Sequence, residues 1–391
     1  MKRLFVGTMG AAIAVALAAC GSGSDAGSSS GPIEVGSWSP LSGPIAPSGT
    51  QTAAGAKAAF DEINAAGGIH GRKINFTTLD NAYDPQQTIQ AARKLVGEKK
   101  VVAIVAANGT APTAATFPFV LQQSKVPILF TYGGAAAWYT PPQAGLFGAQ
   151  TLYEEQGKNI AEWAVSNGAK NIVVVHDDPK AFVNVADSVV AGATAKDSSV
   201  QVSKVAVKLS TTDYSPVVAQ VKTKKPDAVV LIVPVPEAAA YLKQAKLQGV
   251  TAQTYGYAPD ADPGLLKLAG DAAEGFHTLS LTKLPTDTSD PAVAAYVAAL
   301  KKYATDQTPS FYSIYTYAGA KAFAKILEGI DGDITAESIG RAVESAGVID
   351  TGLLPPLSFT SSQHLGTNEV IRLEVKNGAF AADGDFMAPS S

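Results

Sequence analysis

Residues 104–120, "IVAANGTAPTAATFPFV", pass from a short apolar run through Asn108-Gly109-Thr110 into a stretch of helix formers. That is the order of a strand, a small-residue turn and a helix start. The same grammar continues on both sides. Upstream, "DPQQTIQAARKLVG" offers Asp84 as N-cap, Pro85 at the first helical position and Gln87 at the capping-box position. Downstream, "VPILFTY" is again a strand candidate. Short apolar runs alternating with longer helical ones predict βα units on a mostly parallel sheet, an α/β architecture.

The pattern holds along most of the chain. Further strand candidates are "IEVGSW", "KINFTTLD", "VVAIVAA", "NIVVVHD", "VQVSKVAV", "DAVVLIV", "TAQTYGY" and "EGFHTLSL". A helix over "TQTAAGAKAAFDEINAA" stops at Gly67-Gly68, where an achiral residue takes the left-handed cap conformation. The series breaks near "TPPQAGLFGAQTLY" and restarts at Tyr153, which predicts two lobes, each with its own sheet flanked by helices. "PAVAAYVAALKKYATDQTPSFYSIYTYAGAKAFAKILEGI" reads as two helices joined at "TDQTPS" that pack back on one lobe. The expected division is therefore 33–148 plus 281–357 for the first lobe and 149–280 plus 358–391 for the second, with crossovers near 148, 280 and 357.

Composition narrows the function. The chain has 391 residues, enough for two cores. It is 46% hydrophobic, 16% charged and carries a formal net charge of -4, so there is no basic stripe to neutralise phosphates and nucleic acid is excluded as a partner. "MKRLFVGTMGAAIAVALAAC" has the basic start, apolar middle and small-residue end of a secretory signal. Its last four residues, Leu17-Ala18-Ala19-Cys20, resemble the bacterial lipobox, which implies lipidation of Cys20, the single cysteine of the chain. Residues 21–32 are Gly/Ser-rich and form a flexible tether. The expected location is the extracytoplasmic face of a membrane, held by lipid.

Signatures of catalysis are missing from the sequence. The four histidines, at 70, 176, 277 and 364, lack metal-helix spacing, and there is no P-loop. A formal G-x-S-x-G at Gly27–Gly31 lies in the tether, without the strand and helix that a nucleophile elbow needs. The expectation is a binding protein with no metal and no cofactor. In open parallel sheets, ligands sit beyond the carboxyl ends of the strands. The loops there are 39–49, 107–113, 131–138, 177–182, 234–237 and 257–262, and they are small, hydroxylic and aromatic.

The segments "PLSGPIAPSG", "AFDEINAAGGIHGRKI", "DNAYDPQQTIQAARKLV", "GTAPTAATFPFVLQQSKVPILF", "YLKQAKLQGV", "LAGDAAEGF" and "TYAGAKAF" come in an order and spacing that resemble the branched-chain amino acid (leucine/isoleucine/valine) binding family. These are solute-binding lipoproteins of ABC importers. The resemblance covers about Ile33 to Phe386. It implies the type I periplasmic-binding fold, two lobes closing about a hinge on a ligand in the cleft between them. It also implies a monomer that delivers its small-molecule ligand to a permease with ATPase subunits. A sensor of the same fold, signalling to another partner, is the alternative.

Carried onto this sequence, the resemblance puts the ligand carboxylate against Asn108, Gly109 and Thr110, the Gly133-Gly134 turn and the nearby Ser48. Aromatic contact is expected from Trp38, Tyr132, Tyr153, Phe182 and Tyr312, with Tyr257 beside the crevice. Two positions depart from the family. Gly133-Gly134 replaces a turn where many relatives carry Thr, and Ala258 stands where amino acid binders carry a Glu for the ligand ammonium. An unpaired buried ammonium is costly, which argues against a plain α-amino acid. Asp260, two residues on, is a possible substitute and keeps the amino acid reading open.

Overall fold

A computed structural model of the chain describes residues 31–43 and 45–388. The expected signal segment, Cys20 and nearly all of the expected tether lie outside the described residues.

The first sheet is five-stranded and wholly parallel, in the order β2-β1-β3-β4-β5. Its strands are β1 (Ile33–Ser39), β2 (Ile74–Asp80), β3 (Ala103–Val105), β4 (Ile128–Leu129) and β5 (Leu146–Phe147). The second sheet holds β6 (Asn171–Asp177), β7 (Gln201–Val207), β8 (Ala228–Ile232), β9 (Gln253–Gly256) and β10 (His277–Ser280) in parallel. Their order is β7-β6-β8-β9-β10, the same winding as the first sheet. An antiparallel ribbon, β11 (Ile371–Lys376) and β12 (Ala379–Ala382), closes its far edge. All five residues of β8 are buried, as expected of a strand covered by helices on both faces.

Three strands stand beyond those expected. β5 is only two residues long, too short to show a period. The ribbon alternates Ile371, Leu373 and Val375 with Arg372, Glu374 and Lys376, and it turns at Asn377 (φ 55) and Gly378 (φ 74). Two successive positive φ values are the backbone of a type I′ hairpin, for which Asn-Gly is the favoured pair.

Helices cover both sheets. α1 (Ala46–Ala65) packs on α9 (Pro291–Tyr303) and α10 (Phe311–Glu328), the two helices expected as a hairpin, so this pair sits on the first lobe. The approach of α1 to α10 is close: a Cβ on Gly55 would lie 2.1 Å from the Ser313 carbonyl oxygen. The Thr316 hydroxyl donates to the Thr52 carbonyl across the same seam, at 2.8 Å. In the second lobe α4 (Tyr153–Ser166) packs on α5 (Lys180–Lys196). The helix α2 (Pro85–Arg93) opens with the Asp84 carboxylate accepting from the Gln87 N–H, as its cap sequence predicts.

The chain passes between lobes after β5, after β10, and again before β11. The third passage comes later than 357. Phe359 packs on Phe130 and Phe147, and Leu365 bridges Gly148, so residues 357–366 stay with the first sheet. Asn368 and Glu369 accept from the Leu152 N–H and the Thr151 hydroxyl, and Val370 bridges Met387, so the chain enters the second lobe at about 368. The correction follows from aromatic packing between residues distant in sequence, which no local pattern carries. No described helix is long and apolar enough to cross a membrane.

Candidate functional site

In a sheet wound 2-1-3, the connections from the first and third strands leave in opposite directions and open a crevice at their carboxyl ends. Both sheets have this switch point, at β1/β3 and at β6/β8. A cavity of about 570 Å³ lies where the two face each other, within the usual range for small-molecule sites. All six loops anticipated from sequence contribute to its wall.

From the first lobe come Ile45, Pro47, Ser48 and Gln51 after β1, and Asn108, Gly109 and Thr110 after β3. Asn108 is buried and tied on three sides. Its N–H donates to the Trp38 carbonyl at 2.9 Å, its amide to Thr52 Oγ1 at 2.9 Å, and its carbonyl accepts from Asn81 Nδ2 at 3.4 Å. Gly109 has φ +117, a conformation that side chains rarely allow. Thr110 opens the short helix α3 (Thr110–Ala114), so its N–H has no carbonyl one turn back to accept it. Its hydroxyl meets Tyr153 Oη at 2.7 Å, a bond from the first lobe to the start of α4.

Tyr132 forms the centre of an aromatic cluster. Its ring lies 5.0 Å from Tyr312, 5.8 Å from Tyr315 and 6.0 Å from Phe311. Across the cavity Phe182 stands 6.1 Å from Tyr257. Burial holds the hydroxyls of Tyr132, Tyr153, Tyr257 and Tyr312 above their usual range. They act as neutral donors and acceptors.

Among the described residues of the wall there is no Lys, Arg or His, and two are acidic: Glu237 and Asp262. Asp262 has both oxygens engaged, accepting from the N–H of Gly264 at 2.7 Å and of Phe311 at 2.9 Å. It caps α8 (Pro263–Ala269) and fastens it to α10. Glu237, near the start of α7 (Val235–Leu247), accepts from the Ser210 N–H at 2.8 Å and from Tyr214 Oη at 2.5 Å.

Eight expected residues meet on this wall: Ser48, Asn108, Gly109, Thr110, Tyr132, Tyr153, Phe182 and Tyr312. Four do not. Trp38 is buried in the first lobe, where its indole N–H donates to Thr113 Oγ1 at 2.9 Å and so steadies α3. Gly133 lies under the Trp138 ring, 2.6 Å from where a Cβ would be, and Gly134 lies against Thr151 and Gln150. The Gly134 carbonyl accepts from the Tyr153 N–H at 2.8 Å, so this turn supports a wall residue and is not itself wall. Asp260 and Ala258 are fully buried behind Tyr257. The Asp260 carboxyl meets no donor, and burial pushes its pKa well up.

Sequence reasoning missed Gln51, Tyr83, Thr211, Thr212, Glu237 and Asp262 as wall residues. Tyr83, Glu237 and Asp262 lie in segments already marked, "DNAYDP", "PVPE" and "YAPDAD", but a segment does not say which of its side chains turns inward. Residues 209–212 follow β7 and carry only a weak "LSTT" signal.

Two parallel α/β lobes with their switch points facing one cavity make a two-lobe solute-binding protein of the type I class. The periplasmic binding protein family model matches residues 32–379, and the chain belongs to that family. It is 30% identical over 280 residues to the Leu/Ile/Val-binding protein of Escherichia coli (strain K12), covering 71% of this chain and 73% of that protein. The crystal structure of a possible leucine/isoleucine/valine-binding protein from Rhodopirellula baltica superposes with TM-score 0.82 at 22% identity, over 92% of this chain and 98% of that one. A solute-binding protein of an R. palustris ABC transporter, in complex with benzoate, gives TM-score 0.79 at 19% identity over 92% and 97%. The relatives are solute-binding proteins and not enzymes.

Proposed function

We propose that this chain is the extracytoplasmic receptor of an ABC importer, capturing a small carboxylate-bearing solute, aromatic or aliphatic, and handing it to a permease whose ATPase subunits drive uptake. The observation that supports this most is the cavity at the paired switch points. One side offers the hydroxyls and amides of Ser48, Asn108 and Thr110, and the rest is largely aromatic and aliphatic. Hydroxyl and N–H donors suit a carboxylate, and aromatic walls suit an apolar body. The R. palustris neighbour holding benzoate and the E. coli relative named for leucine, isoleucine and valine bracket the ligand class. The absence of a carboxylate at Ala258 favours acids without an α-ammonium.

Ligand between the lobes favours the closed form by its differential affinity for that form, and closure is what the permease reads. Cys20 anchors the receptor by its lipid, and one chain acts alone. A thermal-shift panel tests the ligand class. Hydrophobic and aromatic carboxylates should raise the melting temperature more than leucine, a ligand at a hundred times its Kd adding about 2.7 kcal/mol. A clear preference for leucine-type amino acids would overturn the reading of Ala258.

A further inference from the structure

The wall donated by the second lobe carries more acid than its own structure uses. Glu237 is 6% exposed and faces the cavity, and directly behind it stands Asp177, at the carboxyl end of β6 and 0% exposed. Neither oxygen of Asp177 meets a donor, and the group it faces is the Glu237 carboxylate. Asp178 is a further carboxylate nearby. Tyr214, Tyr257, Asp260 and His176 also lie close by, the His176 ring bonding the Asp177 backbone carbonyl through Nδ1 at 2.9 Å and not its carboxyl. No salt bridge reaches Asp177 or Glu237 from any described Lys, Arg or His. Two adjoining buried carboxyls without a counter-cation cannot both ionise cheaply. In keeping with this, burial together with Glu237 and Asp178 pushes Asp177 up to about 8, so a proton fills the place of the missing cation.

Asp262, the other acid of the wall, is saturated by backbone N–H groups, but Glu237 keeps lone pairs for a further donor. We propose that Glu237, backed by Asp177, is a recognition site for a cationic group of the solute, a primary ammonium carried away from its carboxylate, on the wall opposite Asn108 and Thr110. The inference rests on the carboxylate-receptor reading and sharpens it. The preferred solute is an ω-amino acid in which the anionic end meets the first lobe and the cationic end the second. An α-amino acid carries its two charged groups on one carbon and so cannot direct them to opposite walls as an ω-amino acid does. The neighbouring Ser210, Thr211 and Thr212 give this end of the cavity a hydroxylic lining.

Calorimetric titration of the purified chain with pentanoate, pentylammonium and 5-aminopentanoate tests the site. 5-Aminopentanoate should bind at least about tenfold more tightly than pentanoate, the advantage typical of one charge-assisted bond. Glu237→Gln should erase that difference, and the wild-type comparison stands even if the variant folds poorly. Equal binding of pentanoate and 5-aminopentanoate would overturn the cation site and leave the carboxylate receptor intact. Binding of pentylammonium without any binding of pentanoate would keep the cation site and overturn the carboxylate reading. No binding by any of the three would overturn both.

Discussion

Asp177 shows how a single buried carboxyl ties the site to pH. Its ordinary value is 3.8, and in the folded chain it rises to about 8, chiefly through burial. Below about pH 4 the group is protonated whether the chain is folded or not. Between there and pH 8 the folded form keeps its proton while the unfolded form ionises, so this residue's contribution to stability is lost as pH rises. Asp177→Asn removes the titration, and its amide can still donate to Glu237 as the protonated acid does. The melting temperature of the variant relative to wild type should therefore climb from pH 5 to pH 8, and parallel curves would rule the coupling out. Asn108, Gly109 and Thr110 were legible because a small-residue turn between strand and helix is a local pattern. Glu237 was not, since nothing local distinguishes its inward turn from that of a solvated residue in a helix's first turn. Asp260 does not stand in for the missing Glu at the cavity wall, because two residues along a tight turn put it on the buried side.

Among the elements, those with internal punctuation are the most legible in sequence. Asp84 and Pro85 mark the start of α2, and the positive φ values of Gly67 and Gly68 mark the end of α1. The Asn377-Gly378 hairpin carries an equally local signal, an alternating run ahead of an Asn-Gly pair. The seam between α1 and α10 was beyond local reading: it depends on Gly55 meeting residues more than 250 positions away. Since a Cβ there would lie 2.1 Å from the Ser313 carbonyl oxygen and 2.5 Å from Thr316 Oγ1, Gly55→Ala must push the helices apart. The cost expected for such overpacking is about 1–3 kcal/mol, measurable by denaturant midpoint. An unchanged midpoint would show that the seam is loose.

For the whole molecule, the repeated winding of two parallel sheets was legible as two series of strands and helices. The passages between lobes were legible only where a strand ended, and the aromatic tie of Phe359 to Phe130 and Phe147 displaced the third. That topology makes one face of each lobe a wall of the cavity, and the Thr110–Tyr153 bond joins the two there. The proposed lipid anchor is tested at this scale too. Cys20→Ala should release the chain into the soluble fraction, and continued tight membrane association would remove the lipid-anchor proposal. The role of the cavity itself is tested most directly by filling it. Ala181, the second residue of α5, is half-buried on the wall, and Ala181→Trp places an indole in the cavity proposed to hold the solute. Titration with the best carboxylate from the thermal-shift panel should show affinity reduced by about a hundredfold or more, as expected when a bulky ring occupies a close-fitting pocket. Wild-type affinity in the filled variant would mean that the solute binds elsewhere.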